Sequence, residues 1–364
     1  ALGASLLFPL VLVPNLGLVR TGIFFGLFNL LVAVVGIAMF RDQLRRVGRL
    51  TVAAGIGVAV LITAFAFAGK TTTLLEDLLY ADDVIYAETT PYQRLVLTRW
   101  HNDLRLFING NLQFSSVDEF RYHEALVHPA MGLVQAPKRI LILGGGDGMA
   151  AREVLEHPGV THIDLVDLDP AVTTLFRKKD ALAALNHGSL RDPRVTVINR
   201  DARTFLESSR QRYDVVIVDL PDPNGLSVGK LYTRSFYRLI AQHLSPTGVM
   251  VTQATSPFYT TAAFWCIYNT VAAADIGGGA HLLALPYRAS VPSFGNWGFV
   301  LASLRPLSPR MIRLEVATRY LSADLLPTLF VFPKDIAWRK TPINRLDNQI
   351  LVKLYRGGYR QYNE

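Results

Sequence analysis

The chain has 364 residues, 50% hydrophobic and only 18% charged, with a mean hydropathy of +0.26 and a formal net charge of +8. A chain this apolar is not an ordinary soluble enzyme throughout, and its length allows two or three domains. Cys266 is its only cysteine, which excludes a disulfide framework within the chain and any zinc site built from cysteines.

The apolar excess sits in the first 69 residues, as three uninterrupted stretches at 1–19, 23–40 and 50–69. The third, LTVAAGIGVAVLITAFAFAG, carries no charge over a length that spans roughly 30 Å as a helix. Three such segments in series do not fit a cleaved signal, which has one short apolar region. About three transmembrane helices are therefore expected over 1–70. Because the sequence begins at Ala1 without a methionine, this membrane part is expected to be truncated, with helices upstream. The link RDQLRRVGR (41–49) sets Arg41, Arg45, Arg46 and Arg49 against Asp42 alone, and short basic loops stay cytoplasmic. Five of the net positive charges lie in 1–70, from Arg20, these four arginines and Lys70 against Asp42. No dense basic run remains, so the basicity reads as membrane topology and no nucleic-acid partner is expected.

From residue 82 the texture changes. VIYAE (84–88), YQRLVLTRW (92–100) and LRLFING (104–110) are short β-rich runs separated by the turn signals HND and NGN, which predicts a small antiparallel β domain over 82–116. A helix comes next through SVDEFRYHEALVHPAM, with acids in its first turn. Strands are then expected at RILIL (139–143), HIDLVD (162–167), VTVIN (195–199), DVVIVD (214–219) and GVMVTQ (248–253), with helix-like stretches such as MAAREVLEH and LYTRSFYRLIAQHL between them. Apolar strands alternating with helices indicate an α/β, Rossmann-like doubly wound sheet over 117–304, whose ligands sit beyond the carboxyl ends of the strands. The NHGS turn (186–189) is expected to be exposed, and 305–364 reads as a C-terminal helical extension to which no chemistry is assigned.

The strand ends carry acids. Asp147 stands in the glycine turn LGGGDG after the first of these strands, Asp167 ends the second, Asp201 follows the third, and Asp219 and Asp222 follow the fourth. Each alone has a structural explanation, since aspartate caps helices and favours turns. Five at one rim are harder to assign to capping. A glycine turn at a helix N-terminus usually receives a phosphate, and a carboxylate inside it selects a cation instead. S-adenosylmethionine carries both a carboxylate and an ammonium on its amino-acid end. Asp147 suits a ligand that keeps the amine and has lost the carboxylate, as decarboxylated S-adenosylmethionine has, and a diamine suits the same rim.

The stretch from 82 to 304 resembles the polyamine aminopropyltransferases, the spermidine synthase family. The residues that carry the resemblance are YQRLVL (92–97), LFINGNLQFSSVDEFRYHEALVHP (106–129), LILGGGDGMAAREVL (141–155), DLVDLDP (164–170), NRDAR (199–203), YDVVIVDLPDP (213–223) and LYTRSFY (231–237). The apolar N-terminus together with VPSFGNWGF (291–299) is similar to a bacterial branch whose synthase domain is fused to transmembrane helices. The resemblance implies transfer of an aminopropyl group from decarboxylated S-adenosylmethionine to a diamine, putrescine foremost, giving spermidine and methylthioadenosine without a metal. It further implies nucleoside contacts by Gln93, Gly144, Gly145, Gly146, Asp167, Asp201 and Ala202. Tyr122, His123 and Asp147 would line the aminopropyl and polyamine channel, with Gln113 beside it. Asp219 would be the catalytic base, and Asp222 an amine ligand. The implied setting is a multi-pass protein of the bacterial inner membrane, a homodimer, in contact with the lipid bilayer.

Three positions depart from the family pattern: Asp167 where glutamate is usual, Leu220–Pro221 where a serine pair is common, and Phe294 where many members place a tyrosine. HEALVH (123–128) invites a zinc reading, but histidines five apart lie about 140° apart around a helix, so metal ligation is not expected. A methyltransferase is the enzymatic alternative, weighed against by Asp147 and by the pair Asp219 and Asp222. A polyamine-sensing membrane protein is the non-enzymatic one, weighed against by Tyr122, Asp147 and Asp219. Topology sets two expectations against each other. Arginine counting in 41–49 puts the chain beyond the third helix outside, whereas the nucleoside substrate is cytosolic; Lys70, Arg94, Arg99 and Arg105 weaken the asymmetry, and a cytoplasmic catalytic domain is expected.

Overall fold

A computed structural model describes residues 12–363 apart from Ala81 and Gly278, without the side chains of 13–18, 69–79 and 361–363. Most of the expected span at 1–19 lies outside the described residues. The chain divides into two compact units, one ending at Gln113 and the other starting at Phe114.

The first unit begins with two long helices, α1 (Val13–Met39) and α2 (Val47–Leu79), joined by turns that contain Arg41, Arg45 and Arg46. Val19–Met39 and Val47–Ala68 are long and apolar enough to cross a membrane. The helices meet through small residues: a Cβ on Gly26 would lie 3.3 Å from Leu61, and one on Gly57 would lie 3.1 Å from Leu30. Phe28, Val32 and Val35 of α1 and Val52, Ile56 and Val60 of α2 are exposed.

The break expected between the stretches 1–19 and 23–40 is absent, because α1 runs unbroken through Arg20, Thr21 and Gly22. Arginine is a good helix former, its guanidinium lies 5.9 Å from the Phe65 ring centroid, and Thr21 is buried. The dip in hydropathy is therefore not a dip in helicity. The described residues hold two such spans where three were expected, and α2 continues ten residues past 69.

An antiparallel sheet in simple order comes next, β1 (Asp83–Thr89), β2 (Arg94–Trp100), β3 (Asp103–Ile108) and β4 (Asn111–Ser115). The β3–β4 connection is the two-residue Asn109–Gly110 loop with both residues at positive φ, 51° and 79°, as a tight hairpin turn requires.

The second unit is a covered seven-stranded sheet. In chain order its elements are α3 (Glu119–Met131), β5 (Arg139–Gly144), α4 (Met149–Leu155), β6 (His162–Asp167), α5 (Pro170–Lys178), α6 (Asp180–Leu185), β7 (Val195–Asn199), α7 (Ala202–Ser208), β8 (Tyr213–Asp219), α8 (Arg234–Gln242), β9 (Leu244–Gln253) and α9 (Thr261–Ala272). After these come a small two-stranded ladder, β10 (Asp275–Gly277) and β11 (Ala280–His281), the hairpin β12 (Leu283–Val291) and β13 (Gly295–Ser303), and finally α10 (Ile350–Asn363).

The strand order is β12–β13–β9–β8–β5–β6–β7, parallel from β9 to β7 and antiparallel at β13 and β12. Residues 140–143 of β5 and 215–218 of β8 are wholly buried, which is why both strands read as continuous apolar runs. After β5 the chain winds outward through β6 and β7, then returns to β8 on the other side of β5. This reversal opens a crevice at the carboxyl ends of β5 and β8, where a doubly wound sheet takes its ligand.

Residues 305–349 are less helical than expected, with only three short 3₁₀ turns before α10. Side-chain hydrogen bonds between the sheet domain and this strap hold it in place. Glu124, 2% exposed, accepts the N–H groups of Arg319, Tyr320 and Leu321 at 2.7, 2.9 and 3.0 Å. Trp265 donates to the Ile336 carbonyl at 3.0 Å, and Asn344 to the carbonyls of Gly229 and Tyr232 at 3.2 and 3.0 Å. The NHGS turn is not exposed at its end: Ser189 is buried and its hydroxyl donates to the Gly148 carbonyl at 2.6 Å.

Candidate active site

The glycines bring the strand ends together. Gly144 pairs with Asp219 across the β5–β8 ladder at φ +87°, and a Cβ there would lie 2.0 Å from the Asp219 carbonyl oxygen. Gly145 donates its N–H to that same carbonyl at 3.1 Å. A Cβ on Gly146 would lie 2.6 Å from the Asp167 carboxylate, to which the Gly146 N–H donates at 3.1 Å. One amide of the turn is thus committed to a carboxylate of this protein, not to a phosphate.

Asp167 also accepts the Asp169 N–H at 2.9 Å. Burial pushes its pKa up to about 6 in spite of these two donors, with Asp147 and Asp169 adding repulsion. Asp147 accepts the Met149 N–H at 2.9 Å, and its own carbonyl is held by Asn186 at 2.7 Å. Burial raises its pKa, against the opposing pull of the His123 cation.

Asp219 closes β8 and accepts the Tyr122 hydroxyl at 2.7 Å. Burial pushes Asp219 up to about 6; His123 and Tyr122 oppose this, and Asp147 adds to it. Tyr122 is itself fixed against Phe299 and Phe294, at ring-centroid separations of 5.5 and 6.0 Å. Asp222 accepts the Tyr355 hydroxyl at 2.8 Å and longer bonds of 3.4 Å each from Gln253 and Thr255. Burial pushes it, too, up to about 6. Between the two acids, the carbonyls of Leu220 and Pro221 accept the Tyr232 hydroxyl, and Gln253 also donates to Leu220. The loop that lacks a serine pair is therefore held through its backbone.

His123 is 2% exposed and lies one helical turn after Glu119, to which its Nδ1 donates at 2.7 Å. Burial alone would lower its pKa, but Glu119, Asp147 and Asp219 carry it to about 9, so it is an imidazolium at neutral pH. Glu119 would be raised by burial yet is brought to about 2 by His123 and Arg152, whose guanidinium forks onto both its oxygens at 2.9 Å each. The chain of contacts continues from Arg152 to Glu153, from Glu153 to His128 at 2.9 Å, and on to His157 at 3.1 Å. The two histidines of HEALVH thus serve different partners. Among the described residues no cluster of three or more histidine, cysteine or acidic groups is placed to hold a metal ion.

The chain matches the spermine/spermidine synthase domain over residues 119–308. It is 49% identical to polyamine aminopropyltransferase 2 of Ralstonia nicotianae, over 98% of this chain and 69% of that protein. The chain belongs to the polyamine aminopropyltransferase family. A polyamine aminopropyltransferase of Leptospira interrogans is 43% identical, over 98% of this chain and 70% of its own. Among solved structures, a spermidine synthase in complex with the transition-state analogue AdoDATO superposes with a TM-score of 0.64 at 26% identity, covering 70% of this chain and 87% of that one. The spermidine synthase of Thermotoga maritima gives 0.63 at 25%, covering 70% and 86%. Membership of this enzyme family removes the non-enzymatic alternative, and the family's being one of aminopropyltransferases removes the methyltransferase reading.

In this aminopropyltransferase the second unit brings Tyr122, His123, the three glycines, Asp147, Asp167, Asp219 and Asp222 to one set of strand ends. Asp201 caps α7, accepting the Thr204 N–H at 3.0 Å, and pairs with Lys230 at 3.0 Å; burial alone would raise it, but these partners hold it below the ordinary range. Ala202 is the buried first residue of that helix. Gln93 and Gln113 are described within the first unit, where Gln93 closes a turn with Thr90 and the Gln113 amide donates to the Asn111 carbonyl at 3.1 Å.

Residue-type reasoning did not single out Glu119, Arg152, Gln253 or Tyr355. Two signals were available: Glu119 stands four residues before His123, and Gln253 is the last residue of β9, at the ligand-binding end. Tyr355 had none, since its partner lies 133 residues away.

A carboxyl raised in the folded state binds protons more tightly there than in the unfolded chain. It therefore lowers stability above its folded pKa, and that penalty vanishes as pH falls through about 6 towards the unfolded value near 4. Asp219→Asn, which keeps the Tyr122 contact, is expected to raise the stability of the ligand-free protein by about 1–2 kcal/mol at pH 8. At pH 4.5 the gain should nearly disappear. Thermal melts of both proteins in detergent across this range read the difference.

Proposed function

We propose that this enzyme transfers the aminopropyl group of decarboxylated S-adenosylmethionine to putrescine, giving spermidine and methylthioadenosine. The observation that carries the reading is the gathering of Asp147, Asp219 and Asp222, each half-buried, at the carboxyl ends of β5 and β8. A sulfonium nucleoside with a bare amine, and a diamine, are both cations, and such a site favours them. The AdoDATO complex of the related spermidine synthase is consistent with this choice of co-substrate.

In the reaction, the neutral amine nitrogen attacks the methylene carbon bonded to the sulfonium. The new N–C bond forms as the C–S bond breaks, and the electron pair leaves with sulfur as the neutral thioether of methylthioadenosine. An alkyl amine has a pKa of roughly 10.4 by analogy with lysine, so it arrives protonated and must lose that proton first. Asp219, fixed by Tyr122, takes the proton, and Asp222 holds an ammonium group of the acceptor. The remaining carboxylates stabilise the positive charge that passes to the attacking nitrogen. Asp167 would accept ribose hydroxyls, with Gly144, Gly145, Gly146, Asp201 and Ala202 around the nucleoside. The His123 imidazolium serves as a fixed counter-charge between Asp147 and Asp219.

Two membrane spans, α1 and α2, are part of the reading, with the catalytic unit on the cytoplasmic side, where its nucleoside substrate is made. The protein is then multi-pass, and the cytosolic source of the nucleoside outweighs the arginine count of the turn between the spans.

Purified protein incubated with decarboxylated S-adenosylmethionine and a panel of diamines should give spermidine from putrescine, detected by mass. Asp219→Asn should cut turnover by roughly 10²-fold or more while methylthioadenosine still binds. Wild-type turnover in that variant would remove Asp219 from its role, and the absence of any aminopropylated product would end the reading. For topology, a cysteine at Asp180, whose side chain is 98% exposed, in a Cys266→Ser background should resist an impermeant thiol reagent in intact cells and react after permeabilisation. Labelling in sealed cells would put the catalytic unit outside.

A further inference from the structure

Helix α10 lies at the end of the chain, yet it reaches the acidic crevice. Tyr355, 8% exposed, donates its hydroxyl to Asp222 Oδ2 at 2.8 Å. This is the shortest bond Asp222 receives, the other side-chain donors being at 3.4 Å. One residue on, Arg356 donates from Nε and Nη2 to the Asn224 carbonyl at 3.0 and 2.8 Å, two residues beyond Asp222.

The backbone of α10 also lies hard against the sheet domain. A Cβ on Gly358 would sit 2.8 Å from the Tyr259 carbonyl oxygen and 2.9 Å from Thr260, and one on Gly229 would sit 2.8 Å from Val352. The Tyr359 ring stacks on Tyr259, with centroids 6.0 Å apart and planes at 18°, and meets Tyr355 edge-on at 5.1 Å. Five attachments therefore fix the helix, two of them, from Tyr355 and Arg356, on the loop 219–225. A helix that only covered the core could do so with the apolar face of Leu351 and Leu354; it would not need a buried hydroxyl aimed at a carboxylate.

We propose that α10 is part of the acceptor-amine site, and that Tyr355 is the residue that positions Asp222 for the ammonium group of the acceptor. The proposal rests on the reading of the reaction given above. The hydroxyl orients one carboxylate oxygen and stabilises its charge without neutralising it, as a lysine or arginine in its place would. The other oxygen keeps only the long bond from Gln253, so it remains available to the amine. The two tyrosine rings beside the carboxylate suit a protonated amine on a methylene chain, since aromatic faces attract ammonium groups and cover CH₂ surface. The titratable groups that bear on Asp222 are Tyr122 of α3, Tyr232, and Tyr355 and Tyr359 of α10. Loss of the Tyr355 hydroxyl therefore removes a donor that burial leaves Asp222 dependent upon.

The test is Tyr355→Phe in the full chain, which keeps the ring and its packing. With wild-type protein forming product, the variant should show a KM for the amine about tenfold higher, the scale of a hydrogen bond to a charged group, and a kcat within about threefold. Its methylthioadenosine affinity, measured by calorimetry, should be unchanged and certifies that the site is folded. The acid limb of kcat/KM for the amine should move to higher pH, because the Asp222 carboxylate has lost a stabilising donor. A filler of the core would move the melting temperature but not this limb. An unchanged amine KM and an unchanged limb in active Tyr355→Phe enzyme would overturn the proposal while leaving the reaction intact. No product from wild-type protein with any diamine would overturn the reading of the reaction, and the proposal with it.

Discussion

Asp147, Asp167, Asp219 and Asp222 stand at the carboxyl ends of adjoining strands with burial raising every one of them, and the organisation of the catalytic unit follows from having to keep them there. Two unit charges 6 Å apart repel by about 3 kcal/mol at an effective dielectric constant of 20. A fold tolerates such a cluster only if the neighbouring groups stabilise carboxylates without removing their charge. The donors that meet them fit that requirement: the N–H groups of Gly146, Asp169 and Met149, the hydroxyls of Tyr122 and Tyr355, and the Gln253 amide. The negative potential that results acts on the ligands, which supply the missing cations.

One buried cation is built in, and its support shows how such a charge is kept in a dry place. The His123 imidazolium is tied to Glu119, which Arg152 grips with both guanidinium arms. Removing Glu119 would leave the buried His123 imidazolium without its ion-pair partner, which costs more than the pair itself returns. Glu119, His123 and Arg152 sit on α3 and α4, the two helices that flank β5, so the same contacts that bury the charge also set these helices against each other.

Much of this was legible because the local pattern and the fold agree. HIDLVD and VTVIN are strands with the bounds read from the sequence, since short runs rich in β-branched and apolar residues favour strands. The acids were legible because a doubly wound sheet puts strand ends at one rim. The capping alternative for Asp201 was a real one, and its carboxylate does cap α7. The hidden features depend on distant residues. The single arginine at 20 broke the hydropathy of α1 but not its backbone, and the turn ending at Ser189 is buried because Gly148, 41 residues earlier, takes its hydroxyl. The C-terminal strap carries little periodicity, because Glu124, Trp265 and Asn344 hold it where helical hydrogen bonds do not.

The central claim is that the carboxylate inside the glycine turn is there for a cationic tail on the nucleoside. Asp147→Asn keeps an oxygen for the Met149 N–H, so the turn survives while the charge is lost. Calorimetric titration of wild type and variant with decarboxylated S-adenosylmethionine and with S-adenosylmethionine compares two ligands that differ by one carboxylate. The preference for the decarboxylated ligand is predicted to fall by about tenfold or more, because only the carboxylate-bearing ligand gains when a negative neighbour is removed. Equal losses of affinity for both ligands would contradict the claim, and would make Asp147 a residue of the turn alone.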